Sequence, residues 1–386
     1  MTYRIDLFKL FCLSILIYVG LFNSNPAFAF LIHQSEVGSR AQGASGILAP
    51  AANDSSAIWY NPAGLNRHDS AAKELSIDLG VPVSKITNKQ SDSTYDEINF
   101  VGGLINSRLF PAALKPEWLS NRLTLAGAFF PLAAANYVSS YPNNPFTNQG
   151  SGLINTKLFQ FSLGGSIKLA TQLQLGLTLD QLWARFTCDL NSPCLENSPK
   201  ALGLSAGTSF GPFVLGSIHS YFSLNFHSSA QPGINNIVQH SISEYLIKNQ
   251  LGRPTIYSAG SSVRLLALSP VIIDLNVVAE QFRWDRSNTG DIHYDNLAGT
   301  YRRMGLSSEV HFPLFSHTSM TLRSGGNFDY GVSSQTTSSF AAAAGGGLAW
   351  NNIHFLNLAI QKRRLFNDQT VWMPWVASIS YGFQTD

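Results

Sequence analysis

Gly207-Thr208-Ser209-Phe210-Gly211 has the Gly-x-Ser-x-Gly spacing of serine hydrolases, where a strained strand-to-helix elbow exposes the serine hydroxyl. Alternating sequence on both sides places the motif in a short turn between two strands, which cannot supply that elbow. The nine histidines, among them His219 and His227 on one expected strand, lack metal-type spacing and read as polar side chains on one strand face. Gly345-Gly346-Gly347 follows an alanine run and precedes no lysine, so it reads as tightly packed strand and carries no phosphate-loop signal. Cys188 and Cys194 bracket Asp-Leu-Asn-Ser-Pro in an expected loop. In an exported chain this pair predicts a disulfide stiffening the loop tip, whereas two thiolates alone make a poor metal site. No pattern calls for bond chemistry, so the expectation is a non-enzyme without metal or other cofactor.

The elements that position these residues begin with an export signal. Arg4 and Lys9 precede an uncharged run from Leu10 to Phe22, and Ala27-Phe28-Ala29 supplies a small-x-small cleavage site. The run falls short of the roughly 20 residues of a spanning helix. Residues 1–29, Cys12 included, are expected to be removed as a signal peptide.

Only 12% of the 386 residues are charged, and 25 Lys and Arg against 23 Asp and Glu leave a formal charge of +2. Nothing in that balance attracts a nucleic-acid backbone. Mean hydropathy near zero is too low for a helical membrane bundle. The organising pattern is period two: Leu173, Leu175, Leu177 and Leu179 alternate with Gln174, Gly176, Thr178 and Asp180. The same split recurs along the chain near 74–83, 96–106, 122–133, 155–168, 172–186, 200–209, 212–227, 255–267, 270–284, 300–312, 317–330, 339–350, 352–363 and 371–383. Short connectors such as Ala170-Thr171, Phe210-Gly211 and the Asn351 turn alternate with long polar ones such as Ala134 to Ile154 and Ser228 to Pro254.

This pattern predicts an all-β chain, a transmembrane antiparallel β-barrel of about 14 strands over residues 73–386, with the apolar face toward lipid. Aromatics near strand ends, including Trp183 and Trp350, suit interfacial girdles. Asp180, Arg264, Asp274, Glu280, Arg303, Glu309, Arg323 and Asp329 fall on the lumenal face. There they either pair among themselves and with a plug, or one arginine holds a ligand carboxylate.

Residues 30–72 differ: they lack sustained alternation and are rich in Gly and Ala, which suits a compact plug in the lumen or, as the alternative, an exported disordered arm. The stretch Gly38-Ser-Arg-Ala-Gln-Gly-Ala, then Ala52-Asn-Asp-Ser-Ser-Ala-Ile-Trp-Tyr, then Asn61-Pro62-Ala63-Gly64-Leu65 resembles the N-terminal hatch of FadL-type outer-membrane transporters. The resemblance is carried by the Asn-Pro-Ala core and its Ala-x-Asp-x-Ser-Ala lead-in, over about 30 residues. It implies a 14-stranded barrel with a hatch over 30–72, in which Asn61, Pro62, Ala63 and Gly64 form the blocking turn. It also implies that Phe30, Leu31 and Ile32 reach into a hydrophobic ligand pocket. The function it implies is passive passage of hydrophobic small molecules, most plausibly long-chain fatty acids, through a monomer in the bacterial outer membrane. The partners are then the bilayer and the ligand. The alternatives are a FadL-like barrel serving as anchor or shuttle for secreted proteins, and a general porin.

Overall fold

A computed structural model describes residues 36–54, 56–66, 73–82, 86–87, 94–95, 99–101, 122–139, 152–188, 200–230, 253–268, 270–283, 300–330, 338–351, 353–366, 371–372 and 376–385. The strands are β1 (Lys73–Pro82), β2 (Ile86–Thr87), β3 (Thr94–Tyr95), β4 (Asn99–Val101), β5 (Leu123–Ser139), β6 (Gly152–Ala170), β7 (Leu173–Cys188), β8 (Lys200–Leu215) and β9 (Ile218–His227). They continue as β10 (Thr255–Leu268), β11 (Val271–Arg283), β12 (Thr300–Phe315), β13 (Thr318–Tyr330), β14 (Ser338–Trp350), β15 (His354–Phe366), β16 (Val371–Trp372) and β17 (Val376–Thr385).

From β5 to β15 each strand pairs with its successor, antiparallel throughout, and β17 follows β15, with β16 alongside β15. The first strand then pairs with the last, Lys73 opposite Thr385 through Pro82 opposite Val376, as closure of a barrel requires. β4 pairs with β1, and β4 and β5, the two ends of the hydrogen-bonded path, lie side by side. Of the strand expected near 96–106 only β4 is described, so the count of 14 reaches beyond the described residues.

The two faces of each strand meet opposite solvents. On β7 Leu177 and Leu179 project outward, 54% and 56% exposed, while Gln174, Thr178, Asp180 and Leu182 are buried inside. Leu163, Leu202, Leu224, Leu306, Leu322 and Leu358 repeat the outward pattern on other strands. Phe129, Phe159 and Trp183 stack on the outer face, with ring centroids 5.3–6.0 Å apart. Trp350, His354 and Tyr381 form a second outward cluster at the opposite rim. Both suit an interfacial girdle. Leu179→Arg is therefore expected to destabilise the protein in lipid vesicles by about 2–4 kcal/mol. An unchanged denaturation midpoint would mean that this face does not meet lipid.

One expected turn is displaced. The chain does not reverse at Phe210-Gly211: β8 runs on to Leu215 and turns at Gly216-Ser217, with Gly216 at φ +59°. Gly211 (φ +122°) and Pro212 form a bulge inside β8, where pairing to β9 slips between Phe210 and Phe213. A Gly-Pro pair breaks the ladder there without ending the strand. The Gly-x-Ser-x-Gly motif thus lies within a strand, and Ser209 is buried on the inner face. The Asn351 turn falls where expected, with Asn351 at φ +56°, a conformation asparagine tolerates.

Residues 36–66 pack against the inner faces of the strands as a short helix Ser39–Gly43, a helical turn Ala57–Tyr60 and a 3-10 turn Pro62–Asn66. Gln42 Nε2 donates to the Val376 carbonyl at 2.8 Å, Ser307 Oγ to Ile47 O at 2.7 Å and Asn327 Nδ2 to Ser45 O at 2.7 Å. Ser307 and Asn327 thereby satisfy carbonyls that a short, coiled segment cannot pair within itself, and Gln42 donates in return to the strand backbone.

Candidate functional site

The site is the interface between the Asn61-Pro62-Ala63-Gly64 turn and the barrel wall. Proline disfavours helix at the preceding residue, and Asn61 is extended at φ −164°, ψ 99°. Its Oδ1 accepts from the Ala63 amide at 3.2 Å, and its Nδ2 donates to the Thr208 carbonyl on β8 at 3.3 Å. Asn225 Nδ2 on β9 donates to Tyr60 O at 2.6 Å, and Ser166 Oγ on β6 donates to Ala63 O at 3.0 Å. Two wall glycines make this seat possible. A β-carbon on Gly176 would lie 2.2 Å from the Pro62 carbonyl carbon, and one on Gly207 would lie 2.2 Å from Asn61 Oδ1.

Beside the turn, Trp59 anchors an apolar cluster with Ile58, Phe130, Leu182, Ile256 and Phe282, all buried. Its ring meets Phe130 edge-on at 5.7 Å and His227 at 4.7 Å, and the Arg253 guanidinium lies 5.9 Å from its centroid. Arg253 is wholly buried and contacts Asp180 Oδ2 at 2.6 Å, Gln160 Oε1 at 3.2 Å and Ser228 O at 3.1 Å. Ser162 and Ser205 donate to the same Asp180 carboxylate. The Ala230–Arg253 backbone bridge closes the base of the connector 231–252, so one guanidinium ties that connector, the wall and Trp59 together.

Further ion pairs hold the N-terminal segment. Arg40 bridges Glu309 at 2.6 Å and Asp54 at 2.9 Å, and Arg323 shares Glu309 at 2.7 Å. Arg303 joins Asp329 at 2.8 Å and Glu36 at 3.4 Å, while Arg363 also pairs with Asp329. Arg264 and His311 both contact Asp274. Asp274, Glu309 and His311 come within 4.8 Å of one another. Arg264, Arg40 and Arg323 already engage those carboxylates, so the group is an ion-pair network with no vacancy for a cation.

Burial alone would raise the Asp54 carboxyl, but the Arg40 charge and the Ser56 hydroxyl outweigh it and hold Asp54 below its ordinary 3.8. A depressed carboxyl stabilises the packed segment fully above that ordinary value, and the contribution fades as pH falls through it toward the lowered one. Proteolysis of residues 36–66 is expected to rise below pH 3.8, and Asp54→Asn should shrink the pH-dependent part. An identical acid profile in the variant would remove Asp54 from the explanation.

Of the residues singled out in the sequence, Asn61, Pro62, Ala63 and Gly64 come together on the wall. Phe30, Leu31, Ile32 and Cys194 lie outside the described residues, and Cys188 ends β7. The eight expected lumenal charges all have ion-pair partners. Trp59, Arg253, Arg40 and Glu36 escaped sequence reasoning. The one available signal was Asp180, a lone acid on an otherwise uncharged inner row, which demands a buried cation.

An antiparallel barrel with an apolar outside, aromatic rims and a charged interior is the architecture of an outer-membrane β-barrel. The Ralstonia pickettii toluene transporter TbuX shares this fold at TM-score 0.60 and 12% identity, covering 92% of this chain and 100% of its own. The Pseudomonas putida toluene transporter TodX (TM-score 0.55, 11% identity, 92% and 99%) and a Pseudomonas aeruginosa FadL homologue (TM-score 0.54, 12% identity, 92% and 98%) share it too. At such identity the likeness is one of fold. No protein-family model matches the sequence, and no curated protein matches it.

Proposed function

We propose that this protein is a monomeric bacterial outer-membrane channel for hydrophobic small molecules, in which residues 30–72 act as a hatch in a barrel spanning 73–386. The observation that carries the reading is the seating of Asn61-Pro62-Ala63 on Gly176 and Gly207, where a segment of its own rests on the inner wall through hydrogen bonds, ion pairs and an apolar cluster. The shared fold with toluene transporters supports it. A segment seated on the inner wall weighs against a general porin, and nothing among the described residues of the site favours an anchor or shuttle for secreted proteins. The chemistry required is shielding from water and passive release, so no catalyst, cofactor or energy source enters.

For the ligand, the paired guanidiniums weigh against a carboxylate. Arg40, Arg253, Arg264, Arg303, Arg323 and Arg363 each already meet a protein carboxylate. Displacing one would leave a buried charge uncompensated. This favours an uncharged hydrocarbon over the long-chain fatty acid that the hatch resemblance implies. Phe30, Leu31 and Ile32 would supply apolar contacts to such a ligand, and a Cys188–Cys194 bridge would stiffen an external loop. Uptake of labelled toluene and labelled oleate by a deletion strain, with and without the restored gene, tests the reading. Loss of toluene uptake is expected; unchanged uptake of both would overturn the transport assignment, and loss of oleate alone would restore the fatty acid.

A further inference from the structure

The surroundings of Trp59 suit a ring. The His227 imidazole lies against the indole with centroids 4.7 Å apart and planes inclined by 32°, Phe130 meets it edge-on at 5.7 Å, and the Arg253 guanidinium stands over it at 5.9 Å. A tilted ring, an edge and a cation are contacts that the negative face of an aromatic group attracts, and a saturated group of the same size gains none of them. Leu182 and Ile256, both buried in the same cluster, complete the apolar lining.

These wall residues do not depend on Trp59 for their positions. His227 is held by Ser205 Oγ at Nδ1 (2.7 Å) and by Asn225 Nδ2 at Nε2 (2.8 Å), and Arg253 by Asp180 at 2.6 Å. The donors of Arg253 are already taken by protein acceptors. Its contact with the ring uses only its charge, so a ring in the place of the indole needs no free donor from it.

The stretch that carries Trp59 is also the part of the segment that an apolar solute can displace. Ion pairs to the wall fall on Glu36 and Arg40. Residues 56–66 contain no charged side chain and meet the wall through apolar contact and neutral hydrogen bonds such as Asn61–Thr208, Ser166–Ala63 and Asn225–Tyr60. A hydrocarbon cannot replace an ion pair, but it replaces apolar contact like for like. Its differential affinity therefore acts on residues 56–66 and leaves the ion-paired part in place. A benzene ring with a short alkyl group is smaller than an indole and fits the space that Trp59 fills.

We propose that the wall around Trp59 is a binding site for a small aromatic hydrocarbon, occupied by the indole in the closed protein and vacated, with residues 56–66, when the solute arrives. This rests on the reading of the barrel as a hydrocarbon channel and gives that channel its discriminating contacts, His227, Phe130 and Arg253.

Toluene and methylcyclohexane share one carbon skeleton, and titrating each into the purified protein in detergent while following tryptophan emission tests the site. Toluene should shift the emission at about fivefold lower concentration than methylcyclohexane, the worth of an aromatic contact beyond burial. The shift should be missing from Trp59→Phe. Trp59→Ala has no indole to displace and should bind toluene about tenfold more tightly than the unaltered protein by calorimetry. A shift that persists in Trp59→Phe, equal half-saturation by the two solutes, or no gain in a folded Trp59→Ala protein would overturn the proposal. Heat-modified gel mobility reports folding, and if Trp59→Ala fails to fold, the other two comparisons decide. Cell uptake separates the site from the channel reading: toluene uptake without displacement of Trp59 removes the site alone, whereas displacement in a protein that carries no toluene removes the transport reading and keeps the site.

Discussion

Gly176→Leu is expected to unseat the N-terminal segment while the barrel stays folded, and to turn a closed protein into one with steady ion conductance in planar bilayers. The new side chain would begin 2.2 Å from the Pro62 carbonyl carbon and 2.3 Å from the Ala63 nitrogen. Both are backbone atoms of a proline-stiffened turn, so no rotamer change relieves the clash. Overpacking of this kind costs about 1–3 kcal/mol. Lifting the turn also forfeits the Asn61–Thr208, Ser166–Ala63 and Asn225–Tyr60 hydrogen bonds, each worth about 1 kcal/mol. The wall keeps its ladder, in which Gly176 pairs with Ser166 and Gly207 through backbone groups that a side chain does not touch. Gly207→Leu should give the same phenotype from the next strand. Gly346→Ala, whose β-carbon meets only the Thr321 carbonyl at 3.7 Å, should behave as the unaltered protein. A Gly176→Leu protein that remains electrically silent and protease-resistant over residues 36–66 would sink this account of closure.

Arg253→Met should lower thermal stability in detergent by the larger amount, about 3–5 kcal/mol, because it leaves a buried carboxylate without its cation. Asp180 is wholly buried and accepts from Ser162 and Ser205, donors that cannot replace a charge. The double variant Asp180→Leu with Arg253→Met removes both ions and is expected to recover much of the loss. If the double change proves as damaging as the two singles added together, the pair is uncoupled and its geometry has misled us. The same substitution also removes the Arg253 Nε donation to Ser228 O, while the backbone bridge to Ala230 stays.

The barrel was legible because lipid and lumen impose opposite demands on alternate residues. Leu177 and Leu179 cannot trade faces with Thr178 and Asp180 without placing a charge in hydrocarbon. The turn after β8 was not legible: Gly211-Pro212 has the composition of a reversal, and only the slipped pairing with β9 reveals a bulge. The Asn61-Pro62-Ala63 turn could be read locally, since a proline and its preceding residue constrain one another. Its seat could not, because Gly176 and Gly207 are glycines for the sake of a segment more than a hundred positions away. That also accounts for the false hydrolase motif. Gly207 accommodates Asn61 and Gly211 supports the bulge, two unrelated needs that happen to flank Ser209. The partner of Asp180 was hidden for a similar reason, as Arg253 sits at a loop base that carries no periodic pattern.

The contacts of the Ser39–Gly43 helix carry a consequence for the order of assembly. Ser39 reaches Ser380 and Gln42 reaches the Val376 carbonyl, partners separated by 341 and 334 positions of chain. Bringing such distant residues together carries a large chain-closure entropy, compensated only when the whole ladder forms. A segment made early is therefore among the last to be completed. Until β17 has docked on β1, residues 39–43 have no finished surface to rest on, so this segment and the strands mature as one cooperative unit.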